Sequence, residues 1–107
     1  MVKKLDSEII RVIEKYVEVL KKHYSIDSVY LFGSFAKGNN HEDSDIDVAI
    51  ISNDIKGKFG ERVPFMMISS EIDLRIEPHP INTEDYKNNA TALINEIRKN
   101  GIQLYVA

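Results

Sequence analysis

Fifteen residues, Gly33 to Asp47 (GSFAKGNNHEDSDID), restrict what this chain can fold into more than any other stretch. A small-residue turn cuts off the run Ser28–Phe32 (SVYLF), a polar loop follows, and two aspartates one residue apart open the run Asp45–Ile51 (DIDVAII). Both runs are β-branched and apolar enough to be strands. Alternation along the second puts Ile46, Val48 and Ile50 on one face and Asp45 and Asp47 on the other. Same-face neighbours on a strand lie about 6.6 Å apart. At an effective dielectric of about 20, two ionised carboxylates at that spacing repel by about 2.5 kcal/mol. In a half-buried cleft such a pair calls for a cation, and Mg2+ suits it because it takes a few carboxylates together with water and phosphate oxygens. The Gly33-Ser34 turn complements the pair. Glycine lets backbone approach a phosphate closely, successive amides in such a turn form an anion-binding concavity, and Ser34 adds a hydroxyl donor.

The flanking segments supply a frame. Leu5, Ile9, Val12, Ile13, Tyr16, Val17, Leu20 and Tyr24 recur every three or four residues, which predicts an amphipathic helix over 5–24, capped by Asp6 or Ser7. Ser34 to Lys37 is long enough for one helical turn, closed by Gly38. Residues 52–61 form a polar connection. Arg62 to Ser70 (RVPFMMISS) is more helix-like than strand-like because of its methionines. Glu71 to Glu77 (EIDLRIE) alternates cleanly and predicts a strand ended by Pro78 and Pro80. Thr83 is the expected N-cap for 84–88. Thr91 to Asn100 predicts a last helix with Leu93, Ile94 and Ile97 inward and Gly101 closing it, followed by a terminal strand or tail at 102–106. This order implies an α/β (α+β) fold with a small mixed β-sheet flanked by helices, and no linker divides residues 1–107, which are expected to form a single domain.

Composition narrows the function classes. With 107 residues there is room for one modest core, and 43% hydrophobic with 29% charged residues is ordinary for a globular chain. A net charge of -3 gives no basic surface for a long nucleic acid, which is not expected as a partner. Cysteine is absent, which excludes disulfides and thiolate zinc sites and fits a cytoplasmic location. No run is apolar enough for a signal peptide or a membrane span.

A third carboxylate is expected from Asp73, on the polar face of the 71–77 strand, where it could bind metal or accept a proton from an attacking hydroxyl. Arg75 shares that face and could touch a phosphate or neutralise Asp73 or Glu77. Glu42 and Asp43 are expected to be loop charges, His41 and His79 surface residues, and Met66 and Met67 core or partner-facing filler. Lys3, Lys4, Lys21 and Lys22 fit a solvated helix face.

Gly33-Ser34, ten residues, then Asp45-Ile46-Asp47 resembles the signature of the polymerase-beta-like nucleotidyltransferases, and GSFAKG followed by SDIDVAI is similar to their minimal (MNT) branch. The resemblance covers nearly the whole chain. It departs at Lys37, where arginine is usual, which keeps the charge and loses the planar fork. It also lacks the helical substrate domain of longer relatives. It implies the polymerase-beta-like fold, triphosphate binding by Gly33 and Ser34, two Mg2+ ions on Asp45 and Asp47, and Asp73 as the third acid. ATP is the implied substrate and a HEPN-domain toxin the implied partner, with AMP transferred to a tyrosine hydroxyl. Alternatives are an antitoxin acting by binding alone, or transfer to a small molecule such as an aminoglycoside. A homo-oligomer is compatible with any of these.

Overall fold

The computed structural model describes residues 6–41 and 43–107; Leu5, Lys3, Lys4 and Glu42 lie outside them. Helix α1 (Ser7–Leu20) is capped by the Asp6 side chain, which accepts from the Glu8 amide, and it buries Ile9, Ile13, Tyr16, Val17 and Leu20 along one stripe. It stops four residues short of the expected end, in turns over 21–23. Strand β1 (Ser28–Phe32) leads into the single turn α2 (Ser34–Lys37), which Gly38 closes in the left-handed region at φ 78°. Strand β2 spans Ile46–Ser52, so Asp45 sits one residue before it. Helix α3 (Arg62–Ser70) is helical as its methionines suggested.

Strand β3 departs from the expectation. It runs from Ile76 to Asn82 and includes both prolines, while 71–75 is turn and irregular chain. The four strands are ordered β3-β2-β1-β4, with β3 at an edge. An edge strand tolerates residues with no amide to donate, because only one of its sides is paired. The alternation of Ile72, Leu74 and Ile76 therefore misled: Leu74 is 86% exposed.

Helix α4 (Thr83–Asn88) is capped by Asn82 rather than Thr83, whose hydroxyl instead donates to Asp27 Oδ2. Helix α5 (Ala92–Asn100) has its N-cap at Thr91 and its C-cap at Gly101, and buries Ile94 and Ile97. Leu93, expected inward, is 36% exposed. Strand β4 (Ile102–Val106) closes the far edge, antiparallel to β1.

The mixed sheet has two covered faces. β1 pairs antiparallel with β2, while β2 pairs parallel with β3 through the α3 crossover. On one face Ile46, Val48 and Ile50 pack with Ile9, Ile13, Tyr16 and Phe65 from α1 and α3. The Tyr16 hydroxyl donates to the Phe65 carbonyl at 2.9 Å, and burial pushes that phenol's pKa well above its ordinary value. The other face carries Phe32, Ala49, Ile51 and Ile81 against Ile94 and Ile97 of α5. Asp47 shares this second face, by the period-two rule, with Ala49 and Ile51. Its carboxylate emerges where the apolar cover runs out.

Candidate active site

The turn after β1 and the start of β2 are built against each other. Phe32 is the register partner of Asp47, so Gly33 lies directly beside that aspartate. A Cβ at Gly33 would overlap Asp47 Oδ2 and reach 3.1 Å from its Cγ, and the residue also has φ 73°. Both facts require glycine. The amides of Ser34, Phe35 and Ala36 open α2 directly after Gly33 and have no acceptor within the helix.

Parallel register sets the other side. Asp47 stands opposite Glu77, and Ala49 opposite His79, so Glu77 and His79 project onto the same face as Asp47. His79 Nε2 lies 3.3 Å from Asp47 Oδ1 and 3.9 Å from Glu77 Oε1, and its ring meets Phe32 edge-on. One donor atom from each of Asp47, Glu77 and His79 falls within 4.8 Å of the others. Among the described residues Asp47 has no lysine or arginine at ion-pair distance. Glu77 has one, Arg62 Nη2 at 3.4 Å, and Arg62 Nε is tied to the Pro78 carbonyl at 2.7 Å.

The sequence-predicted residues divide accordingly. Gly33, Ser34 and Asp47 converge. Asp45 is exposed, at the end of a loop that Ser44 pins by accepting from the His41 amide at 2.9 Å and donating its own amide to the His41 carbonyl at 3.0 Å. It does not join the Asp47 group. Asp73 does not join it either: it lies in the turn after α3, where Arg75 Nε and Nη2 reach its two carboxylate oxygens at 3.1 and 2.8 Å and the Arg75 amide adds a third bond at 2.9 Å. That guanidinium holds the Asp73 carboxyl below the usual aspartate range, against a smaller opposing effect of burial. Of the roles expected for Arg75, neutralising Asp73 is the one adopted. Lys37 points away to Glu96 of α5 at 3.4 Å.

Glu77 and His79, which the sequence pattern leaves outside the candidate site, are the residues that stand beside Asp47. Their signal was the spacing E-x-H between alternating prolines, which puts both on one strand face, but it became legible only once the prolines were known to lie inside β3. Beside them opens a cleft of about 460 Å³, lined by Ile55, Lys58, Arg62, Asn82, Leu93 and His79 among others. The partial exposure of Leu93 follows from its place in that wall. The partly exposed carboxylates of Asp47 and Glu77 fit a hard divalent cation bound partly by protein oxygens and partly by phosphate and water.

The family described as "Polymerase beta, Nucleotidyltransferase" matches residues 14–107. A Methanocaldococcus jannaschii relative named "Putative protein adenylyltransferase MJ0141" is 31% identical over 98 residues, which is 91% of this chain and 96% of that one. The "Protein adenylyltransferase MntA" of Shewanella oneidensis is 25% identical over 92 residues, 85% of this chain and 63% of the relative. Several other M. jannaschii relatives match over 44 residues, so that the aligned part is about half of their own length. Among solved structures, a toxin-antitoxin complex with AMP-PNP superimposes with a TM-score of 0.68 at 23% identity, over 92% of this chain and 73% of that one. The complex of a tri-AMPylated Shewanella oneidensis HEPN toxin with its MNT antitoxin gives 0.65 at 20% identity, over 92% and 73%. At these identities the superpositions establish the fold. No described helix is long and apolar enough to cross a membrane.

Proposed function

The chain belongs to the polymerase-beta nucleotidyltransferase family, and on that premise we propose that it transfers AMP from ATP to a tyrosine hydroxyl of a HEPN-type toxin and so acts as its antitoxin. The observation that carries this reading is the register pairing of Asp47 with Glu77 immediately beside the Gly33-Ser34 turn. It brings backbone donors and carboxylates to one end of the strands, where β1 finishes and β2 and β3 begin. The M. jannaschii relative that spans nearly the same length as this chain bears the adenylyltransferase name, which favours a protein acceptor over an aminoglycoside.

In this reading the Ser34 hydroxyl and the first amides of α2 hold the triphosphate. Asp47 and Glu77 would hold Mg2+, and exposed Asp45, which stands apart from them, would serve a second ion. Glu77 takes the third-acid role expected of Asp73, because Glu77 faces Asp47 and Asp73 is held by Arg75. Mg2+ bound there would neutralise charge on the phosphates. The acceptor oxygen attacks the α-phosphorus, the bond to the bridging oxygen of the β-phosphate breaks, and pyrophosphate leaves. A carboxylate of the Asp47–Glu77 pair is placed to take the proton of the attacking hydroxyl. The cleft beside His79 is the side from which the acceptor side chain enters, since the opposite side of Asp47 is closed by the Gly33 turn.

The test incubates the chain with its HEPN partner, ATP and Mg2+ and follows AMP attachment by intact mass. Labelling is expected with the wild type and not with Asp47→Asn, whose circular dichroism should be unchanged. Toxin neutralisation that persists in Asp45→Asn/Asp47→Asn without any labelling would replace this reading with neutralisation by binding alone.

A further inference from the structure

The three-carboxylate scheme leaves His79 without a role, although its position is the most constrained of the chain's three histidines. His79 Nε2 points between two carboxylates, 3.3 Å from Asp47 Oδ1 and 3.9 Å from Glu77 Oε1, with its side chain only 22% exposed and its ring fixed edge-on against Phe32. Two origins fit a ring nitrogen there. One is a hydrogen bond that orients Asp47, and its length, near the weak end of the useful range, gives it a small share of the stability. The other is ligation: donors on an octahedral cation of Mg2+ or Mn2+ size sit about 3 Å from one another. The Asp47–His79 and Glu77–His79 separations are within a small side-chain rotation of that value. Carboxylate-only sites discriminate weakly among hard cations, whereas an imidazole nitrogen adds affinity for transition metals and little for Mg2+.

We infer that His79 is a nitrogen ligand to the divalent cation held by Asp47 and Glu77, so that this site prefers Mn2+ to Mg2+. The inference rests on the proposed cation-binding role of those two carboxylates. It adds that the third donor comes from the β3 edge strand through an imidazole. Arg62, bound to the Pro78 carbonyl at 2.7 Å, braces the strand between Glu77 and His79 from outside, which keeps the two donors on one face.

Mn2+ is the probe, because its electron spin resonance reports both occupancy and directly bonded nitrogen. The wild-type chain should bind Mn2+ at least about tenfold more tightly than Mg2+ in competition. Pulsed measurements should detect a nitrogen coupling that changes when histidine nitrogen is isotopically labelled. His79→Gln should lose the coupling and most of the Mn2+ preference, while its Mg2+ affinity shifts by less than about twofold. His41→Gln should alter none of these. A wild-type Mn2+ signal without histidine nitrogen coupling overturns the inference, as does a coupling that survives in His79→Gln. The labelling experiment needs no variant and so stands even if His79→Gln folds poorly. AMP transfer in Mg2+ with no nitrogen coupling would sink this inference alone; nitrogen coupling without AMP transfer would sink the proposed function and leave the metal ligand standing.

Discussion

Asp73 and Glu77 are acids four residues apart in one segment, and their surroundings could hardly differ more. Asp73 closes the turn after α3 and is saturated by its own neighbour: both guanidinium contacts and the amide of Arg75 converge on it, and Arg75 reaches on to Glu8 of α1 at 3.4 Å. Glu77 faces another carboxylate-bearing residue across a parallel pair, with one half-exposed arginine on its outer side. An acid whose charge is neutralised within its own turn holds the chain in shape. An acid placed opposite a second acid keeps a demand for a cation from outside. The extent of charge compensation separates the two: Arg75 bonds both oxygens of Asp73 at 2.8 to 3.1 Å, whereas Arg62 touches one oxygen of Glu77 at 3.4 Å.

The sharpest way to break this comparison is to remove the acid on the site side. Asp47→Asn is expected to lower AMP transfer by about 10³-fold with little change in melting temperature, since it removes charge stabilisation and no packing. Glu77→Gln should cost about 10²-fold in rate with stability retained. Asp73→Asn should do the reverse, changing the rate less than about threefold while lowering stability by about 1 kcal/mol after allowance for solvent screening of the half-exposed arginine. Equal rate losses in Glu77→Gln and Asp73→Asn, measured side by side, would erase the distinction.

Gly33→Ala sharpens the site side further. The added methyl meets the Asp47 carboxylate in a backbone conformation unfavourable for alanine, so a displacement of about 1 Å should cost about 10²-fold in transfer rate although no charge is changed. A rate within about threefold of wild type would show that Asp47 need not sit against the turn.

The smallest expected effect concerns pH. The folded pKa of Asp73 lies below its ordinary value, so its stabilisation is present in full above about pH 4 and fades as acid lowers the pH through the folded pKa. Urea midpoints of wild type and Asp73→Asn should therefore differ at neutral pH and converge in acid. Divergence on acidification would mean the wrong sign.

Much was legible before any tertiary structure. β1, α2, β2 and α3 sit where alternation, glycine and side-chain type put them, and Gly33, Ser34 and Asp47 converge because a strand, a tight turn and a returning antiparallel strand bring those positions together by local geometry alone. Failure came at β3. Prolines inside an apparent strand argue against it only when both sides of that strand are paired, and nothing in a run of residues states which strand is an edge. Ending the strand at Glu77 put Asp73 on a sheet face it does not occupy and left His79 as a surface residue.

The residues by themselves determined the fold class, the tight turn at Gly33-Ser34 and the strand that carries Asp47, since each follows from contacts close in the chain or from alternation along it. The tertiary structure decided which later acid answers Asp47. That choice depends on the register between β2 and β3, set by how α3 packs against the sheet, and a shift of register along β3 changes which side chain stands opposite Asp47.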